Sequence, residues 1–222
     1  TADKQIDLGT NLKIGALRES GLAKVWSRVL QEKRIVMVDF SDYAPSKGPA
    51  AFIGAPVYGK DKEIYAVLAL QISIREIDGI MQERTGMGNT GETYLVGPDF
   101  LMRSNARFDK ETTILRKRVD TVAVHSALEG RKGIGVVDDY RGEKVLSCYE
   151  LLDLQKALKT DFEWVIVSEI DVAEAFAPVR SLGWKILWVG LMILISACIL
   201  GYFLARSIAR PLGDVSGVVK KV

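Results

Sequence analysis

The sequence predicts an α+β chain with two small antiparallel-sheet modules, one membrane-spanning helix and a short basic tail. Three observations predict it. Ile186 to Leu204 reads ILWVGLMILISACILGYFL, nineteen residues without a charge, which as a helix span about 28 Å, one bilayer crossing. Ahead of it, short apolar runs with strand character alternate with segments of helical period. Between those runs TGMGNTG, at 85–91, places three glycines in seven residues and marks a boundary between modules.

The totals exclude several classes. Lys and Arg number 30 against 28 acids, giving a net charge of +2. The basic residues are scattered among acids, so nothing points to a nucleic-acid partner. Only Cys148 and Cys198 occur, the second inside the apolar run, which excludes a disulfide framework.

Within ESGLAKVWSRVLQEK (19–33), Leu22, Val25, Trp26, Val29 and Leu30 form one apolar helix face, with Trp26 expected in the core. RIVMVDF (34–40) reads as a strand, and SDYAPSKGP (41–49) as a turn-rich loop. AAFIGAPVY (50–58) and EIYAVLALQIS (63–73) follow as a hairpin closed by GKDK, both strands apolar enough to be half or fully buried. IREIDGIMQER (74–84) carries Ile74, Ile77, Ile80 and Met81 at helical period and connects the modules. With TADKQIDLGTNL as its opening, this first module is expected to correspond to the latter half of the plan that the second module follows.

The second module begins at ETYLV, where Gly97, Pro98 and Asp99 supply a turn between two strands. A polar stretch, 109–120, precedes a helix over TVAVHSALEG (121–130). Strands GIGVVDDY and EKVLSCYEL and a last strand FEWVIVSEI follow. DVAEAFAPVRSLGWK (171–185) is expected as a helix capped by Asp171 that runs straight into the membrane. This order describes a small antiparallel sheet with helices on one side.

After the span stand Arg206, Arg210, Lys220 and Lys221 with only Asp214 opposing, whereas before it Arg180 and Lys185 follow a stretch carrying Glu169, Asp171 and Glu174. The positive-inside bias places 205–222 in the cytoplasm and 1–185 outside. Trp184 and Trp188 mark the outer interface and Tyr202 the inner one. Pro211 is suited to the first turn of a new helix. Ile208, Leu212, Val215, Val219 and Val222 then form a short heptad seam, which implies a parallel partner, most simply a second copy.

For catalysis the chain offers little. His125, in AVHSAL, is the only histidine, so a histidine metal cluster is excluded and a Ser-His-Asp site would rest on one residue. Asp138 and Asp139 are adjacent and so point to opposite faces of a strand. GMGNTG precedes a strand and lacks the lysine of a phosphate loop. No catalytic residue, metal site or cofactor is expected.

DFSDYAPSKGPAAFIGAPVY, IYAVLALQIS, MQERTGMGNTGETYLVGPDFLMRSNARF and IARPL together resemble the double Cache sensor region of bacterial transmembrane receptors, from about Leu8 to Val222. The resemblance implies two PAS-like modules: a membrane-distal one at 1–80, N-terminally truncated, and a proximal one at 87–171, with a connector at 81–86. It further implies a signalling helix at 172–185, a span of the inner membrane at 186–204, and the start of a HAMP domain at 205–222, paired in a homodimer. A small-molecule ligand would sit in the distal module, with Asp39, Ser41, Asp42, Tyr43 and Tyr58 as lining residues. The family's amino-acid-binding branch has an aspartate where this chain has Gln71, which disfavours a plain amino-acid sensor. Three readings stay open: a ligand-binding sensor, a non-binding structural stalk, and a membrane-anchored extracytoplasmic enzyme. Any catalytic effector domain would follow Val222.

Overall fold

The computed structural model describes residues 9–219, with side chains through 207. The chain divides into two compact units, the first ending at Glu174 and the second beginning at Ala175.

The first unit opens with helix α1 (Gly21–Glu32), whose N-cap Ser20 accepts a hydrogen bond from the Ala23 amide, satisfying one otherwise orphaned donor. Val25 and Val29 are fully buried. Trp26, expected in the core, is only half-buried, with the Lys13 ammonium 5.9 Å over its ring, and Leu30 is exposed. Helix α1 packs on only three strands, so the edges of its apolar stripe stay at the rim.

Those strands, β1 (Val36–Tyr43), β2 (Gly48–Tyr58) and β3 (Ile64–Gln71), form an antiparallel sheet in the order β1-β2-β3. The loop expected at 41–49 shrinks to a 3-10 turn at Ala44–Ser46, because Ser41, Asp42 and Tyr43 pair with Ala50, Pro49 and Gly48. A register irregularity between Val38 and Ser41 allows this: the bulge absorbs one step and the ladder resumes beyond it. Gly54 lets α1 approach β2 closely, since a Cβ there would lie 2.9 Å from a Val25 methyl. Strand β3 departs from its expected burial, with Tyr65, Leu68 and Leu70 all more than half exposed. It is an edge of its sheet, paired among the described residues with β2 alone.

Helix α2 (Ile74–Met81) is capped by Ser73 and turns Ile74, Ile77 and Met81 toward the core shared by the two sheets. The second sheet holds β4 (Glu92–Val96), β5 (Gly133–Asp138), β6 (Lys144–Leu152) and β7 (Trp164–Asp171), all antiparallel, in the order β4-β7-β6-β5. The strand expected after Gly97–Asp99 reduces to two single bridges, Val96 to Met102 and Leu101 to Arg118. Just past it, the buried Arg103 and Ser104 turn back: the Leu95 amide donates to Ser104 Oγ at 2.9 Å. Helix α3 (Val122–Leu128), capped by Thr121, lies on β6 and β7. A short helix α4 (Leu154–Leu158), capped by Asp153, was not foreseen from the sequence.

Three clusters fill the unit. One lies between α1 and the first sheet (Val25, Val29, Val36, Phe52), and one between α3 and the second sheet (Tyr94, Val96, Val124, Val167). The third joins the sheets through Met37, Phe40 and Ala51 on one side and Leu95, Ile114 and Trp164 on the other; Phe40 and Trp164 stack at 5.8 Å.

Asp171 does not cap a helix. It is the last residue of β7, and its carboxylate accepts from Arg141 Nη2 at 2.9 Å. Helix α5 (Val172–Ala175) follows, then one non-helical residue, Phe176, before α6 (Ala177–Val219). The continuous rod expected from 171 is therefore interrupted, with Pro178 in the first turn of α6 where its missing N–H costs no bond.

An 18-residue stretch within Val172–Ser207 has a mean hydropathy of 2.4, and none of it is buried. Ile186 to Val189 are four successive residues, each about 60% exposed, so no face of α6 is packed there. Arg206 Nη1 donates to the Tyr202 hydroxyl at 2.9 Å, near the end of the apolar run. The α6 backbone carries on through Pro211, correcting the expected new helix: a helix can pass a proline at the loss of one backbone hydrogen bond. The heptad seam from Ile208 to Val222 lies outside the described side chains.

Candidate functional site

Asp39 sits at the β1 bulge, where the strand's alternation breaks and the side chain turns toward the second sheet. Arg103 Nε donates to both its oxygens at 3.0 and 3.1 Å and Nη2 donates at 2.9 Å. Trp164 Nε1 donates to Oδ1 at 2.9 Å, and the Phe40 amide adds a bond of 2.7 Å. Arg103 is 3% exposed and also reaches Asp99 Oδ2 at 3.0 Å. Burial works against its charge, but the two carboxylates outweigh it and raise the guanidinium's pKa.

A cleft of about 370 Å³ opens beside this junction, lined by Lys24, Ser27 and Arg28 of α1, Val38 and Asp39 of β1, and Asp161 and Phe162 before β7. It carries two cations and two carboxylates on partly apolar walls, the chemistry that holds small polar molecules. Arg28 Nη1 spans it to Asp161 at 2.7 Å.

Of the five residues the sequence singled out, Asp39 alone lines this cleft. The Ser41 hydroxyl is buried next to Gly21 of α1 with no hydrogen-bond partner. Asp42 is exposed. Tyr43 is 2% exposed and packs edge-on against Phe52 at 4.9 Å, as core. The Tyr58 hydroxyl donates to the Lys33 carbonyl at the surface. Strand alternation and the bulge disperse the five to different sides. Gln71 accepts from Ser46 Oγ at 3.1 Å.

His125 is half exposed on α3, its Nε2 2.7 Å from Asp120 and its ring 4.6 Å from Phe100. The opposed faces expected for Asp138 and Asp139 are present, with Asp138 exposed and Asp139 buried. What the sequence reading missed is where Asp139 points. It meets Glu92 of β4 and Glu169 of β7, and ligand oxygens from all three lie within 4.8 Å of one another, all buried. The Glu92 carboxylate accepts from the Tyr140 hydroxyl at 2.8 Å and the Arg107 amide at 3.2 Å. The Tyr94 hydroxyl donates to Glu169 at 3.1 Å, while Asp139 accepts from the Arg141 and Glu143 amides. Burial first, then the charges of Glu92 and Asp139, push Glu169 up to about 8. Burial likewise raises Glu92. The signal available in the sequence was period two: Glu92 and Tyr94, and Val167 and Glu169, share faces, but only strand register brings them together.

At the end of the unit, Glu174 accepts from the Asn89 amide at 2.8 Å and from the Thr90 amide and hydroxyl at 2.7 and 2.6 Å. These donors lower its pKa and tie α5 to the glycine-rich segment.

No protein-family model matches the sequence, and no curated protein does. Solved structures do. The periplasmic sensory domain of the Campylobacter jejuni chemoreceptor Tlp1 aligns at 13% identity with a TM-score of 0.51, covering 70% of this chain and 57% of that one. The ligand-binding domain of the Pseudomonas fluorescens chemoreceptor CtaA, in complex with L-leucine, aligns at 12% identity and TM-score 0.49, over 78% of this chain and 67% of that one. The ligand-binding domain of the Pseudomonas aeruginosa amino acid chemoreceptor PctB, in complex with L-Arg, aligns at 13% and 0.47, over 69% and 61%. The likeness to Tlp1 is one of fold: the mixed helix and antiparallel-sheet architecture of a periplasmic sensory domain. Among the described residues, one membrane-length apolar helix follows it.

Two outcomes follow. Arg103→Met leaves a half-satisfied carboxylate at the junction and should cost about 3–5 kcal/mol in denaturant unfolding; Gly97→Ala should act in the same direction, since a Cβ there would stand 2.3 Å from the Arg103 guanidinium. A loss below about 1 kcal/mol for Arg103→Met would show the junction to be dispensable. For Glu174, a lowered folded pKa means its contribution is fully present above the ordinary value of 4.5 and is lost as pH falls below it. The difference in thermal midpoint between wild type and Glu174→Gln should therefore be constant at neutral pH and close in acid; a gap independent of pH would refute the assignment.

Proposed function

We propose that this chain is the extracytoplasmic sensor and membrane-crossing part of a bacterial receptor of the double Cache type. The observation that carries the reading is the pairing of a folded unit of periplasmic-sensor architecture with one exposed apolar helix directly after it. The distal module, 1–80, takes a small-molecule ligand. The proximal module, 87–171, follows the connector at 81–86. Residues 172–185 lead into the inner-membrane span at 186–204, and 205–222 begin a HAMP domain that pairs with a second copy.

The ligand occupies the cleft at Asp39. Lys24 and Arg28 recognise its anionic groups, while Asp39 and Asp161 take its donors. Because Asp39 is bonded to Arg103 and Trp164, a ligand that draws on its carboxylate also shifts the contact between the sheets. Trp164 begins β7, the strand that leads into α5, so a small displacement at the cleft has a direct covalent route toward the membrane. Such a device needs the ligand to bind one arrangement more tightly than the other.

The full chain in lipid nanodiscs, screened against small carboxylates, amines and amino acids, should gain thermal stability with at least one compound. At one hundred times the dissociation constant the gain is about 2.7 kcal/mol, and Lys24→Glu should weaken it at least tenfold for an anionic ligand. A panel without any shift would leave a structural stalk as the better account. Topology has a separate check. In sealed spheroplasts a membrane-impermeant maleimide should label Cys148, which is exposed, and not Cys198, which lies in the apolar run; labelling of Cys148 only after the membrane is permeabilised would overturn the orientation.

A further inference from the structure

Glu92, Glu169 and Ser147 occupy one cross-strand row, Glu92 opposite Glu169 and Glu169 opposite Ser147. Directly opposed residues share a face and stand about 5 Å apart at Cβ, so Ser147 points from the sheet to the same side as the carboxylates and beside Glu169. Asp139, just past the end of β5, lies on this face too, two residues beyond Val137, which pairs with the buried Val145. Asp171 adds a fourth acid nearby, and a single guanidinium, that of Arg141, bridges Asp139 and Asp171. The nearby Arg107 guanidinium is directed to the Gly91 carbonyl. The cluster therefore gathers more carboxylates than its cations can pair.

A second observation is independent of the acids. Ser147 is fully buried, and its Oγ has no hydrogen-bond partner. Buried hydroxyls are rarely left so. An oxygen next to a buried carboxylate row, with free lone pairs and no donor, is what a hard cation would use.

We infer that Glu92, Asp139 and Glu169 bind a divalent cation of the Ca²⁺ class, with the Ser147 hydroxyl as a further oxygen ligand. The donor set is all oxygen, as hard cations require. Two oxygens on opposite sides of a Ca²⁺ ion at about 2.4 Å are about 4.8 Å apart, so three carboxylate oxygens within 4.8 Å of one another can reach a single ion. The hydrogen bonds from Tyr94, Tyr140 and the Arg141 and Glu143 amides orient the ligands from behind. The site belongs to the second sheet, away from the cleft at Asp39, and ties β4, β7 and the β5–β6 hairpin together.

The test uses the full chain in nanodiscs, stripped with EGTA and titrated with CaCl₂ while thermal midpoint and binding heat are followed. The wild type should bind Ca²⁺ and be stabilised, saturating below about 1 mM. Glu92→Gln and Glu169→Gln should each raise the midpoint without Ca²⁺, by removing a carboxylate whose charge burial and the neighbouring acids disfavour, and weaken Ca²⁺ binding at least tenfold. Ser147→Ala should weaken it less, and Glu174→Gln should leave it unchanged. No binding by the wild type, equal binding by both Gln variants, or a response to Mg²⁺ with none to Ca²⁺ would overturn the inference.

Discussion

The first unit depends on one half-buried carboxylate. Asp39 leaves its own sheet at a bulge and takes five hydrogen bonds, three of them from Arg103, which follows the second sheet's first strand, and one from Trp164 of its last. Around it lies the apolar cluster common to both sheets, with Phe40 stacked on Trp164. The apolar contacts supply most of the adhesion, but they are non-directional. The bonds to Asp39 set which residue faces which, because a charge in this position is tolerable only when its partners are correctly placed. Gly97 is part of the same constraint, leaving the space that the Arg103 guanidinium fills.

The two polar centres of the unit contrast in construction. At Asp39, one carboxylate meets two strong donors and opens onto a cleft, so its bonds can be redistributed. At Glu92, Asp139 and Glu169, three carboxylates are closed in by tyrosine hydroxyls and backbone amides with too little positive charge among them. The first arrangement suits an exchangeable ligand and a change in packing. The second suits a permanent occupant that holds strands in register.

Much of the architecture was legible from local pattern. Nineteen uncharged residues in a row can be satisfied by one kind of environment, and the glycine-rich segment at 85–91 lies in the chain between the last strand of the first sheet and the first strand of the second. The helices over 21–32 and 74–81 and all four strands of the second sheet followed from periodicity and turn residues. The misses have specific causes. Asp171 and Pro211 are an aspartate and a proline whose local preferences, a cap and a helix start, yielded to a strand pairing and to a helix already under way. Tyr65, Leu68 and Leu70 have strand character but lie at a sheet edge, and an edge is a property of topology rather than of the residues in it.

The candidate site was legible only in part, for the same reason. Asp39 was singled out through the family resemblance, as a carboxylate suited to a ligand pocket, whereas Arg103, Trp164 and Asp161, which lie between 64 and 125 residues further along, were not. By itself the sequence determined the apolar helix of membrane length, the α+β alternation and the exclusion of a cluster of histidine metal ligands, because these follow from composition and short-range period. The tertiary structure decided the partner of Asp39, the dispersal of Ser41, Asp42, Tyr43 and Tyr58, and the meeting of Glu92, Asp139 and Glu169. Those depend on strand register and a bulge, where a shift of one residue turns a side chain to the opposite face.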